Sequence, residues 1–371
     1  MEKWVGNIQS LFLAMVKEDA SDLFIKVGAP PAIRVAKNIK PLGTEPVTPE
    51  IAQKLFCETT TERTRKIFEQ GGEADASYEM FGVGRFRVNI FKQRNNLSFV
   101  FRYVKDKIPT LERLNLPVKQ IHKLSQAKRG LILVTGTAGS GKSTTIASMI
   151  DYVNQNQCKH IITIEDPIEY VFTDKQSIID QRELGVDTQS FALALKHCVR
   201  QSPDIIMIGE MRDTETVEAA INAAETGHLV ISTLHTINAY QTIERIINFF
   251  PPHQHQLLQE QLALLITGIV CLRLVPTKNE KGLVPTVELM VNTPTVRELL
   301  YKGQTRELYK AIQEGSYYGN QTFNQSLKEL CINEIITVED ALAASDLPEE
   351  LRLELRGIMH TSKPEDFNYK L

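Results

Sequence analysis

The stretch LILVTGTAGSGKST, residues 131–144, decides the architecture. An apolar run, LILVT (131–135), leads into Gly-x-x-x-x-Gly-Lys-Ser and then into helical periodicity, with Ile146, Met149, Ile150 and Val153 at i, i+3, i+4 and i+7. A strand that enters a glycine-rich turn and leaves it as a helix is the setting in which such a loop cradles phosphate. Gly136, Gly139 and Gly141 let backbone N–H groups turn inward around a β-phosphate with no Cβ in the way, and the helix N-terminus adds partial positive charge. Thr137, Ala138 and Ser140 complete the loop and Thr144 follows it. Lys142 reaches the β- and γ-phosphates, and Ser143 can ligate Mg2+. The pattern implies a bound nucleotide; alone it does not imply hydrolysis.

Outward from this loop, unbroken apolar runs recur: IITI (161–164), DIIMI (204–208) and LVISTL (229–234). Runs without alternation suit strands covered on both faces, as in a parallel sheet between helices. Ligands bind such sheets at the C-terminal strand ends, so acids placed there are candidates to orient an attacking water. IITIEDPIEY supplies Glu165, Asp166 and Glu169, and PDIIMIGEMRD (203–213) supplies Glu210. In the latter, Gly209 stands where an Asp that helps hold magnesium is usual, and Glu210 follows it. His228 and His235 bracket the last of these runs as candidate γ-phosphate sensors, with backbone hydrogen bonding as the plainer alternative. Asp213 is expected to cap a helix that stops at Gly227.

The remainder of the 371 residues bounds the reading. A net charge of -3 gives no reason to expect nucleic-acid binding. Five isolated cysteines suggest neither a disulfide framework nor a zinc site and suit a reducing cytosol. The N-terminus carries no signal-peptide pattern. The longest apolar run, LALLITGIVCL (262–272), is too short to span a bilayer and is expected to be a buried helix. GRFRVNIF (84–91) alternates as a half-buried strand with a basic outer face, and residues 85–107 hold seven basic side chains against one acid, Asp106. The expected organisation is an N-terminal domain over 1–107, a proline-bearing linker over 108–118, an α/β nucleotide-binding core over 119–290, and amphipathic helices from 291 ending in a frayed tail, HTSKPEDFNYKL.

Together, ASDLFIKVGAPP, the phosphate loop, TIEDPIEY, RQSPDIIMIGEMRD and AETGHLVISTLHT resemble the type IV pilus retraction ATPases, the PilT/PilU group of the secretion-ATPase superfamily. The resemblance implies a PAS-like N-terminal domain joined to a RecA-like P-loop ATPase domain with C-terminal helices, ATP and Mg2+ as ligands, and a homohexamer. It further implies a cytoplasmic motor at the inner face of the inner membrane, acting on the pilus platform protein and possessing a paralogous retraction ATPase as a partner. Within it, Glu210 takes the catalytic place, Glu165, Asp166 and Glu169 the acidic box, and His228 and His235 the His box. Glu165 and Ser143 become the metal-holding pair, Arg200 and Arg212 subunit contacts, and Arg85, Arg87, Arg94 and Arg102 the face turned to a neighbour's nucleotide. The chain lacks the tetracysteine motif of assembly and secretion relatives, and TVREL (295–299) keeps only part of the retraction signature. Two other readings stand beside a retraction motor: an accessory ring that assists a partner motor, and a nucleic-acid translocase.

Overall fold

The computed structural model describes residues 8–35, 38–104, 107–279 and 282–359. The expected tail over 360–371 lies outside them, as do Lys105 and Asp106 of the basic run. The chain forms two compact units: Met1–Lys107 with Pro167–Val171, and Ile108–Asp166 with Phe172–Leu371.

In the first unit, strands β1 (Asp22–Lys26), β2 (Ala32–Val35), β3 (Asn38–Pro41), β4 (Glu73–Met80), β5 (Gly84–Gln93) and β6 (Asn96–Val104) form an antiparallel sheet ordered β3-β2-β1-β6-β5-β4. Strand alternation sends Phe86, Val88 and Ile90 of β5 inward to meet Phe99 and Phe101 of β6. Three helices close that core: α1 (Ile8–Lys17), α2 (Pro49–Thr59) and α3 (Glu62–Gly71). Phe12 of α1 stacks on Phe86 at 4.1 Å and meets Phe101 edge-on at 5.0 Å. On the outer face Asp22, Arg102 and Arg87 fall in register across β1, β6 and β5, with Arg34 of β2 opposite Asp22. Arg94 and Asn95 make the two-residue β5–β6 turn, both with positive φ (49° and 63°).

The second unit is built on seven strands: β7 (Gly130–Thr135), β8 (His160–Glu165), β9 (Ile178–Glu183), β10 (Ile205–Ile208), β11 (Leu229–Leu234), β12 (Ile266–Pro276) and β13 (Leu283–Val291). Their order is β13-β12-β7-β11-β10-β8-β9, all parallel except edge strand β13. The unbroken apolar runs have the cause expected of them. Leu131, Leu133, Ile162, Ile164, Ile206 and Ile208 point into one core layer, while Ile132, Val134, Ile161, Ile205, Met207 and Ile231 point into another. One layer receives α4 (Val118–Ser125) and α5 (Lys142–Asn156); the other receives α6 (Phe191–Cys198), α7 (Thr214–Glu225), α8 (Ala239–Ile247) and α9 (His255–Leu265). Asp213 caps α7 by accepting the Thr216 N–H at 2.8 Å, and Gly227 follows its end at φ 104°. Beyond β13 come α10 (Pro294–Tyr301), α11 (Leu308–Glu314), α12 (Phe323–Ile332), α13 (Val338–Ala344) and α14 (Pro348–Met359).

One expectation is corrected. LALLITGIVCL is not one helix: α9 ends at Leu265 and β12 begins at Ile266. The second half is β-branched (Ile266, Thr267, Ile269, Val270) and pairs with β7, so strand pairing overrides the apolar continuity. In the segment 108–118, expected as a linker, Leu111 and Leu116 are buried in the core layer beneath α5.

Candidate nucleotide site

The sheet order brings the candidate residues together. Neighbouring strands β7, β11, β10 and β8 end, in that order, in the phosphate loop, His235, Glu210 and Glu165–Asp166. A line of contacts follows the same order. Lys142 Nζ donates to the carbonyls of Gly136 (2.8 Å) and Thr137 (3.0 Å) and lies 3.4 Å from His235 Nδ1. His235 Nε2 lies 3.4 Å from Glu210 Oε1, and Arg212 Nε donates to Glu210 Oε2 at 2.7 Å. Arg212 Nη1 then reaches Asp166 Oδ2 at 3.4 Å. An ammonium can only donate, so His235 Nδ1 accepts and Nε2 carries the proton toward Glu210. The two acids hold the Arg212 guanidinium above its ordinary pKa, Glu210 through its hydrogen bond chiefly.

Local bonding fixes Glu210. Thr233 Oγ1 on β11 donates to the Gly209 carbonyl at 2.6 Å and the Met211 N–H donates to the Thr233 carbonyl at 3.2 Å, so the residues on either side of Glu210 are stitched to the next strand. Gly209 lies close to the neighbouring strand end. A Cβ there would lie 3.3 Å from both Glu165 Cα and the Ile164 carbonyl oxygen, a tight contact with the backbone that carries the acidic box.

Glu165 is buried and receives Thr163 Oγ1 at 2.6 Å and Gln181 Nε2 at 3.1 Å, both on Oε1. Neither donor was foreseen from the sequence. Thr163 carries a signal, being two residues earlier on the same strand face; Gln181 on β9 carries none. Asp166 is exposed and joins the line through Arg212. Glu169 is exposed and belongs by its contacts to the other compact unit.

The residues fit a phosphate chain. A Cβ on Gly136 would meet the Leu272 carbonyl oxygen at 2.4 Å, Gly139 and Gly141 hold φ of 77° and 98°, and no side chain caps α5 at Gly141. Ser140 Oγ is buried with no hydrogen-bond partner. Thr137, Ala138 and Gly139 lie exposed on the loop, with Ser143 and Thr144 half-buried in the first turn of α5. For Mg2+ the donor set is sparse: among the described residues no group of three or more His, Cys, Asp or Glu could hold a metal.

Not every candidate comes to the loop. His228 sits at the start of β11, roughly 20 Å along the strand from His235, and its Nδ1 lies 2.9 Å from the Ala223 carbonyl oxygen at the end of α7. Within one protomer it has the plainer role of fastening a helix end. Arg200 is exposed just after α6, ahead of β10, toward the same strand-start edge. In the first unit, Arg102 Nε donates to Asp22 Oδ1 at 3.0 Å and Arg34 Nε approaches Oδ2 at 3.3 Å, while Arg87 and Arg94 are exposed and Arg85 is half-buried.

The profile described as "Type II/IV secretion system protein" matches residues 83–343. The chain belongs to this family. Within the type II/IV secretion system family it is 43% identical over 350 residues to the type IV pilus ATPase PilU of Pseudomonas aeruginosa, covering 94% of this chain and 91% of that protein. It is 40% identical over 343 residues to the type IV pilus retractation ATPase PilT of the same organism, covering 92% and 99%. A crystal structure of the pilus retraction motor PilT with bound ADP superposes with a TM-score of 0.87 at 44% identity over 95% of this chain and all (100%) of the other. The Legionella pneumophila ATPase DotB gives 0.74 at 25% identity over 96% and 97%.

Proposed function

We propose that this chain is a Mg2+-dependent ATPase that powers retraction of type IV pili. The observation that carries the reading is the continuous line Lys142–His235–Glu210–Arg212–Asp166 across four adjacent strand ends. Its support from relatives is the likeness, over nearly the whole chain, to proteins named as a pilus ATPase, a pilus retractation ATPase and an ADP-bound retraction motor.

In this reading the phosphate loop and the open end of α5 hold the nucleotide, and Lys142 leaves the Gly136 and Thr137 carbonyls for phosphate oxygens. Ser143 and Glu165 would hold Mg2+, directly or through water, and the ion would supply charge neutralisation at the phosphates. Glu210 orients and deprotonates the attacking water, with His235 and Arg212 holding its two oxygens. We further infer a PAS-like first unit, a RecA-like second unit, and a homohexamer at the inner face of the inner membrane, working on a platform protein. The arginines at 87 and 94, with Arg85, then face a neighbouring protomer, and Arg200 lies at a subunit contact.

The test is genetic. A strain whose only copy carries Lys142→Ala should keep surface pili and lose twitching; normal twitching contradicts the proposal. A second reading, a ring that assists a partner motor, draws on the likeness to PilU. It requires turnover of the purified protein to rise when a paralogous retraction ATPase is added.

A further inference from the structure

His235 reaches Glu210 and Lys142 because the turn His235–Asn238, between β11 and α8, carries it there. Thr236 Oγ1 pairs with Thr242 Oγ1 at 2.7 Å, within the start of α8. The other two anchors come from the far edge of the sheet. The Ala239 N–H donates to Glu288 Oε1 of β13 at 2.7 Å, and Arg273 Nη2 of β12 donates to the Ile237 carbonyl at 3.4 Å.

Arg273 is held from its other side by the C-terminal helices. Nη1 donates to the Ala344 carbonyl (2.6 Å) and to Asp346 Oδ1 (3.0 Å), and Nη2 to Asp346 Oδ2 (2.8 Å). Its guanidinium carbon sits 4.1 Å from the Phe323 ring centre. A planar fork with a two-pronged carboxylate and a ring beneath it has little freedom to turn. Its orientation is thus set by the α13–α14 connection and α12, while its weakest bond, the 3.4 Å one, falls two residues from His235. Glu288 lies beside it, almost wholly buried, with its carboxylate at the N-terminus of α8, where a negative charge is favoured. Burial pushes its carboxyl up, countered by the Ala239 N–H and Arg273 and reinforced by Asp346; buried Cys271 is also in contact.

We propose that Arg273 and Glu288 are positioning residues for His235, and that through Asp346 the C-terminal helices set whether the nucleotide site is competent to hydrolyse. The proposal rests on His235 serving hydrolysis as read above. Shifts of an ångström at groups remote from the chemistry can cost about 100-fold in rate, so a clasp of this kind is sufficient to gate turnover.

The experiment is steady-state ATP hydrolysis by the full chain carrying Arg273→Lys, Arg273→Gln or Asp346→Asn, each alone and combined with His235→Ala. The lysine keeps the charge and loses the fork, and the Asp346 change leaves the buried partner in place, so these two guard against loss of the fold. Expected is a fall in kcat of about 10-fold or more for both Arg273 variants, with KM and ADP affinity within about 3-fold, and no further fall in the His235→Ala background. Full turnover by all three single variants, or the same fractional loss with and without His235, overturns the positioning role. Full turnover by His235→Ala alone overturns instead the reading on which it rests.

Discussion

Replacing Glu288 by Gln removes a buried charge while keeping an oxygen to accept the Ala239 N–H. Burial lifts the Glu288 carboxyl from 4.5 to about 7. An acid whose folded pKa lies above its unfolded value binds more protons in the folded state between those two values. The wild-type chain therefore loses stability as pH rises from about 4.5 to about 7, and no more above it. The integrated loss is on the order of 3 kcal/mol, from about 1.4 kcal/mol per pKa unit. For a unit of this size that is roughly 6–12 °C in Tm. Thermal unfolding of wild type and Glu288→Gln at pH 5, 6, 7 and 8 isolates the effect from other titrating groups. The stability of the variant relative to wild type should grow in its favour up to about pH 7 and then level. A difference that stays constant from pH 5 to 8 refutes the assignment of a raised, burial-driven ionisation.

Two other outcomes follow from the geometry. Gly136→Ala places a Cβ 2.4 Å from the Leu272 carbonyl oxygen at a φ of 144°; about 2–6 kcal/mol of overpacking and backbone strain should lower Tm and weaken fluorescent ADP binding by at least 10-fold, and an unchanged Tm speaks against the close approach. Asp22→Asn turns the acceptor shared by Arg34 and Arg102 into a neutral amide; with both arginines partly solvated, urea unfolding should report a loss of about 1 kcal/mol, and a gain in stability contradicts the account of that sheet face.

Four strands of the second unit, β7, β8, β10 and β11, were legible because burial on both faces leaves an unbroken apolar run, as at 161–164 and 229–234, whereas β12 was hidden inside LALLITGIVCL and the half-exposed β9 leaves no such run. The phosphate loop was legible because its glycines answer local demands of backbone geometry. Sequence could also place Glu210 and His235 at strand ends. It could not place β11 and β10 between β7 and β8, and that order is what joins Lys142 to Asp166 through His235, Glu210 and Arg212. His228 and His235 were legible as the two ends of one strand; the parallel pairing of β11 with β7, absent from the local pattern, is what brings only His235 to the phosphate loop. Gly209 looked like a missing acid; its closeness to the Glu165 backbone depends on the pairing of β10 with β8. Glu288 and Arg273 carried no motif at all; their roles arise from edge strand β13 and its neighbour β12 meeting a turn far away in sequence.

The central claim is that Glu210, held between His235 and Arg212, activates the water that attacks ATP. Glu210→Gln keeps the size and the hydrogen-bonding reach of the side chain and removes the base. The direct measurement is the rate of phosphate release by purified Glu210→Gln beside its affinity for a fluorescent ATP analogue. The account requires affinity within about 3-fold of wild type and a rate lowered by at least 100-fold, the range of general-base catalysis. Turnover near the wild-type rate at unchanged affinity would contradict it.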